Sequence, residues 1–265
     1  MIRFASRRVA ALMLVAAAAM SAPLLAGQAP QPAGPPKPYN IPAGVPDYVR
    51  KAVQSPERTP AMTARDADRK PAELLVLSGV KPGDKVVEFA SFGQYFTTML
   101  TSLVGEKGMI YMYDLPYLER NSGAASREFA AKHPNTKFEF IDYNALQLPE
   151  NVDVVLNVLY YHDLMLNKID VAALNGKIFK ALKPGGIFFI VDHNAAPGSG
   201  TRDTEKLHRI DPEVIKKEVK AAGFELVEES KLLANPEDDH SWMPFAPGKR
   251  GTTDQVVLKF RKPAR

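Results

Sequence analysis

An α/β fold is predicted for this chain: a seven-stranded, mostly parallel sheet with an antiparallel last strand and helices on both faces. Three features predict it. From Lys85 onward, short β-branched runs alternate with longer segments of helical periodicity, the pattern of strands joined by crossover helices. Pro82-Gly83-Asp84 and Pro184-Gly185-Gly186 place turns directly before two of those runs. Between the last two runs, Leu232 to Asp254 holds three prolines and two glycines and no helical pattern. Those two strands are therefore expected to pair antiparallel at one edge, joined by a long loop.

Taken in order, the chain should form a short helix at 47–54. A helix pair over 64–77, or one helix broken at Pro71, follows, because proline has no N–H to give the ladder. This segment would pack ahead of the first strand and lid its tip. Arg65 and Arg69 within it also fit a solvated helix face. Strands are expected at 85–89, 109–114, 137–142, 152–158, 186–192, 224–230 and 255–261, with helices at 95–104, 122–132, 171–182 and 212–222. Asp211-Pro212 supplies an N-cap and a first-turn proline for the last helix, and Gly223 ends it.

The stretch from Lys85 to Thr97 organises this Rossmann-like arrangement. Val86 and Val87 suit a strand buried on both faces, and Glu88 closes it. The chain then turns through Ala90, Ser91, Phe92 and Gly93 into a helix beginning at Tyr95, whose free N–H groups face the crevice at the strand ends. Gly93 is the one glycine of this turn, and a bulky Phe92 holds the backbone further from a ligand than glycine would. Acids also close the next two strands, at Asp114 and Asp142, the latter followed by Tyr143. The plain alternative for each is a capping role, since acids commonly end strands and start helices.

With 265 residues, 45% apolar and 24% charged, the chain suits one substantial domain with terminal extensions. It has no cysteine, which excludes disulfides, thiolate metal sites and a cysteine nucleophile. Residues 1–29 read as an export signal: Arg7-Arg8, an apolar run from Val9 to Met20, then small residues, with Ala26 and Ala29 as candidate cleavage positions. The apolar run is shorter than the ~20 residues of a spanning helix, although an uncleaved membrane tether is the competing reading. Residues 30–46, rich in proline and glycine, read as a tether, and 47–265 as the folded domain. The mature chain is thus expected in the periplasm without stable membrane insertion. Removing Arg3, Arg7 and Arg8 from the 34 basic residues leaves 31 against 30 acidic ones, so no nucleic-acid partner is expected.

A second polar set follows the fourth and fifth strands. Tyr160, Tyr161, His162 and Asp163 lie after one, and Asp192, His193 and Asn194 after the other. Adjacent parallel strands would bring both sets to one rim. Either histidine could act as a base oriented by Asp163 or Asp192. A hydrogen-bonded polar cluster closing the sheet top is the plain alternative. Asp163, Asp192, His193 and Asn194 also offer ligands for a divalent ion, but no HxxxH or HxH spacing accompanies them and no metal is assigned.

With these elements placed, the chain resembles class I S-adenosylmethionine (SAM)-dependent methyltransferases, and more narrowly the exported predicted-methyltransferase group of Gram-negative bacteria. The matching motifs are Val86-Val87-Glu88 with Gly93 and Tyr95-Phe96-Thr97, Tyr111-Met112-Tyr113-Asp114, Ile141-Asp142-Tyr143, Tyr161-His162-Asp163 and Leu182-Lys183-Pro184-Gly185-Gly186. Further ones are Asp192-His193, Leu207-His208-Arg209-Ile210-Asp211, Asn235-Pro236-Glu237-Asp238-Asp239-His240 and Arg250-Gly251-Thr252-Thr253-Asp254. The resemblance implies SAM as cofactor. Glu88 and the turn from Ala90 to Gly93 would lie near its methionine part, Asp114 at the ribose and Asp142 at the adenine, with Tyr95 and Tyr143 also expected among the cofactor-binding residues. It also implies catalytic roles for His162, Asp163, Asp192 and His193 beside an unidentified small-molecule or protein acceptor. The competing expectation is a non-catalytic periplasmic binding protein that keeps the fold without the cofactor.

Overall fold

The computed structural model describes residues 37–264. The expected export signal and the first part of the tether lie outside the described residues. The described end of the tether is packed: Tyr39, Ile41 and Val45 sit against the hydrophobic core. The Tyr39 hydroxyl donates to Glu73 and accepts from the Ala72 N–H.

Helices α1 (Asp47–Val53), α2 (Pro60–Thr63), α3 (Asp66–Arg69) and α4 (Pro71–Ser78) precede the sheet. The break at Pro71 is real, and Lys70 makes it by adopting a left-handed conformation between α3 and α4. The alternation then runs β1 (Lys85–Phe89), α5 (Tyr95–Val104), β2 (Met109–Asp114), α6 (Glu119–Lys132), β3 (Thr136–Phe140) and β4 (Val152–Val158). It continues with α7 (Val171–Ala181), β5 (Leu182–His193), α8 (Thr204–Leu207), α9 (Pro212–Ala221), β6 (Glu225–Ser230) and β7 (Gln255–Arg261). No helix among the described residues is long and apolar enough to cross a membrane.

The strand order is β3-β2-β1-β4-β5-β7-β6. β1 to β5 pair in parallel, and β7 inserts antiparallel between β5 and β6, as the helix-free stretch before it requires. Alternation along each strand feeds two cores. Val86, Ile110 and Val154 meet α1, α4 and α5 on one face. Val87, Val155 and Phe188 meet α7 and α9 on the other. Burial on both faces is why these strands read as continuous apolar runs.

Two departures have local causes. α6 starts three residues earlier than its periodicity indicated, because a 3-10 turn begun by Pro116 leads directly into it. β5 starts at Leu182 and so includes the Pro184-Gly185-Gly186 turn as an irregularity against β4. Glycine is needed there: a Cβ on Gly186 would lie 2.9 Å from the Lys183 carbonyl and 3.2 Å from that of Asp153 in β4.

Candidate active site

The tips of β1 and β2 hold the first group of predicted residues. β1 and β2 are in register, with Glu88 opposite Met112 and Phe89 opposite Tyr113, so Glu88 and Asp114 point to the same sheet face. Glu88 is buried, and its Oε2 accepts a 2.7 Å hydrogen bond from Thr97 Oγ1 in the first turn of α5. Burial, reinforced by the Asp114 charge against a partial offset from Thr97, pushes the Glu88 carboxyl up to about 8. Asp114 is wholly buried, and its Oδ1 accepts from the Ser91 N–H (2.6 Å) and the Ser91 hydroxyl (3.1 Å). Its Oδ2 has no protein partner. Burial moves this carboxyl to about 6 against the opposing pull of the Ser91 hydroxyl and N–H and of the Phe92 N–H.

The turn between β1 and α5 keeps a glycine-like backbone without the glycines. Ala90, Gly93 and Gln94 all have positive φ, at 56°, 81° and 48°. A left-handed Ala costs roughly 1–2 kcal/mol relative to glycine, so the shape is imposed by its surroundings. Those include Tyr143: its hydroxyl donates to the Tyr113 carbonyl (2.7 Å), accepts from the Ala90 N–H (3.3 Å), and its ring packs edge-on against Phe89. Tyr143 is fully buried and supports the turn from beneath. Gln94 turns inward, donating through Nε2 to Ser126 of α6, and open space lies where a Gly93 Cβ would be. Phe92 is half-exposed, with its ring centroid 6.3 Å from that of Tyr160 in an edge-on arrangement. Tyr160 in turn shares a 3.0 Å hydroxyl contact with Tyr117, so an aromatic bridge spans from the β2 end to the β4 end.

Two predicted residues stand apart from this group. Asp142 does not close β3, which ends at Phe140; it lies two residues beyond, exposed, and caps its own loop through the Asn144 N–H. The Tyr95 hydroxyl is committed to Asp66 of α3 at 2.6 Å. The Tyr95 ring is faced by Arg58, Arg65 and Arg69 at 5.3, 5.6 and 4.5 Å, so the i,i+4 pair Arg65/Arg69 is a cation–π clamp on α5.

The tips of β4 and β5 hold the second group, and here the expectation of one rim is met. Asp192 is wholly buried; its Oδ1 accepts from His162 Nδ1 (2.6 Å) and the His193 N–H (2.7 Å), and its Oδ2 from the His162 N–H (2.8 Å). Burial works against a charged His162 ring, but Asp192 and Asp163 outweigh it and raise the pKa. His193 is the opposite case: burial, then the nearby cations, hold it neutral well below the usual histidine range. Its Nδ1 is 2.8 Å from Thr253 Oγ1 on the approach to β7. Asp163 Oδ1 lies 3.3 Å from His162 Nε2 and 3.1 Å from His208 Nδ1. The ion set Asp163, Asp192, His193 and Asn194 does not converge, because the Asp192 oxygens are engaged and Asn194 donates to Asp254.

The long loop before β7 is anchored by an ion pair that sequence reading did not identify. Arg209, with no exposed surface, binds both oxygens of Asp238 at 2.8 and 3.1 Å and donates to the carbonyls of Asn194 and Trp242. Thr97, Ser91 and Thr253 were missed as well. Each is a small hydroxyl residue whose only signal is proximity in space to a buried acid or imidazole. A concavity of about 310 Å³ on the β2–β3 face, lined by Tyr111, Tyr113, Lys137, Phe138 and Glu139, shares only Tyr113 with this site.

Neither a family model nor a curated relative matches the sequence. Solved structures match the fold. A SAM-dependent methyltransferase from Aquifex aeolicus superposes with a TM-score of 0.54 at 15% identity, over 74% of this chain and 97% of its own. A SAM-dependent methyltransferase from Mesorhizobium loti gives 0.52 at 18% identity, over 74% and 99%. The [4+2]-cyclase SpnF gives 0.57 at 16% identity, over 82% and 92%. This chain therefore has the class I SAM-dependent methyltransferase fold. A cyclase among the neighbours shows that the fold alone does not set the reaction, which must be argued from the site.

Proposed function

We propose that the protein is a SAM-dependent methyltransferase acting on an acceptor in or from the bacterial envelope. The observation that carries this reading is the pair of coupled, buried carboxylates at adjacent strand tips, one of which keeps an oxygen without a partner. A buried acceptor left unpaired costs about 1–3 kcal/mol, and a ribose hydroxyl is the kind of donor that would relieve it. The residues present fit the cofactor. Asp114 Oδ2 offers the diol an acceptor, the open side of Gly93 admits the chain close by, and Glu88 offers a carboxylate to a cationic methionine moiety. When bound, SAM supplies a methyl group on a positively charged sulfur. The chain's own tasks are to align the acceptor, exclude water and take up a proton where the acceptor carries one. In the tautomer whose Nδ1–H donates to Thr253 Oγ1, His193 offers Nε2 for that proton. Asp192 fixes the His162 ring beside it, with ring centroids 5.9 Å apart. The Phe92–Tyr160–Tyr117 bridge narrows the way in, so it would have to part as ligand enters.

Calorimetric titration of the purified protein with SAM and with S-adenosylhomocysteine tests the reading. Saturable 1:1 heat is expected, and Asp114→Ala should weaken it at least ~10-fold, the loss of a charge-assisted hydrogen bond. No heat at millimolar ligand would leave the competing reading, a binding protein without cofactor, which the glycine-poor turn favours. Periplasmic location is part of the proposal and rests on the basic, then apolar, N-terminus. Fractionation of cells making the full chain tests it, and recovery only with the cytoplasm would overturn it.

A further inference from the structure

We propose that His162, Asp163 and His208 form a binding site for a divalent first-row transition ion of the zinc class. Three residues from two separate segments meet here. His162 and Asp163 follow β4, and His208 ends α8, 45 residues from Asp163. His162 Nε2, Asp163 Oδ1 and His208 Nδ1 all lie within 4.8 Å of one another. Asp163 Oδ1 is the shared vertex, 3.3 Å from one ring nitrogen and 3.1 Å from the other. Bonds of about 2.0–2.2 Å to such an ion put neighbouring ligand atoms about 3–3.5 Å apart, so these two edges already have the needed length. Only the edge between the two imidazoles has to close, and His208, partly exposed at the surface, is the ring free to move.

A second, independent feature points the same way. His162 Nδ1 is bound at 2.6 Å to Asp192, whose position is set by two backbone N–H groups. That contact holds a proton on Nδ1 and aims Nε2 at Asp163. A carboxylate behind the far nitrogen of a ligating histidine is the usual outer-shell support of a metal site. Without a proton or cation between them, Nε2 and the Asp163 oxygen would face each other lone pair to lone pair. The donor set suits this ion class: two imidazoles and one carboxylate, with no thiolate anywhere in the chain. Three protein ligands also leave positions open, the arrangement of a site that binds an exchangeable water or substrate oxygen. The wall is polar on the His193 side and apolar on the other, where Phe245 stands 5.5 Å from the His208 ring. An acceptor bearing a hydroxyl or carboxylate oxygen fits those positions.

This inference does not depend on the methyl-transfer reading, because the ion can be measured without cofactor. The full chain, stripped with chelator, is titrated with Co²⁺ by visible absorption and with Zn²⁺ by calorimetry against a competing chelator. One equivalent of each is expected to bind in the micromolar range or tighter. His208→Ala and Asp163→Asn should each weaken Co²⁺ at least ~10-fold, and Asp192→Asn by about 10–100-fold as an outer-shell change. His133→Ala, whose imidazole pairs with Glu57, should leave the affinity unchanged. His208 sits at the surface, so its loss is readable in a folded protein, confirmed by circular dichroism. Absence of one-equivalent binding at 100-fold excess Co²⁺ overturns the proposal. So does binding that survives His208→Ala and Asp163→Asn at wild-type strength.

Discussion

Replacing Glu88 with Gln tests the most unusual charge in the molecule. The unfolded carboxyl titrates at 4.5 and the folded one at about 8. Between those values the native state holds a proton that the unfolded state has lost, so stability falls as pH rises through this window. Each unit is worth about 1.4 kcal/mol, which makes the Glu88 contribution to the loss between pH 5 and pH 8 roughly 3–4 kcal/mol. That is a ceiling, because water reaching the ionised group would lower it. Glutamine keeps the shape and can still accept the Thr97 hydroxyl, but it cannot ionise. At pH 5, where Glu88 is neutral, Glu88→Gln should be within about 1 kcal/mol of the parent. At pH 8.5 it should be more stable by several kcal/mol. Urea denaturation at half-unit pH steps, followed by circular dichroism, gives the difference curve directly. Parallel curves for the two proteins, or a variant destabilised equally at every pH, would refute the burial argument. A stabilising change at a strand tip also marks a residue kept for another purpose, and the same variant should lose SAM affinity.

Other perturbations follow from single contacts. Asp238→Asn leaves the wholly buried Arg209 without its charge partner and should cost roughly 3–5 kcal/mol, read as a fall in the urea midpoint. A change under 1 kcal/mol would show that the loop before β7 is held by something else. Ala90→Gly removes the Cβ from a left-handed position and should stabilise by up to about 1 kcal/mol, in contrast to the usual cost of glycine. A loss of stability there would mean that Ala90 packing outweighs its backbone strain.

Much of the fold was legible because it is local. The bounds of β1, β2, β4, β7 and α5 fall where the apolar runs and turn residues place them. The antiparallel β7 follows from a stretch too rich in proline to make a crossover helix. Parts of the site were legible for the same reason, since a parallel sheet sends every strand's last residue to one rim. Glu88 and Asp114, and His162 and Asp192, meet by that rule alone.

What sequence could not decide depends on side chains brought together across distance. Nothing local distinguishes Tyr143, wholly buried beneath the β1 turn, from Asp142, exposed beside it. The left-handed backbone at Ala90 and Gln94 is likewise invisible, because the residue types oppose it and only the packing around them enforces it. Arg65 and Arg69 have the spacing of a solvated face, yet both close on the Tyr95 ring at the start of α5. The meeting of His208 with Asp163 was decided by tertiary structure alone, since a histidine becomes a neighbour of an acid 45 residues away only after β5 and α8 have folded back over the rim. Periodicity reports which face of an element is buried; it carries no record of what that face will touch.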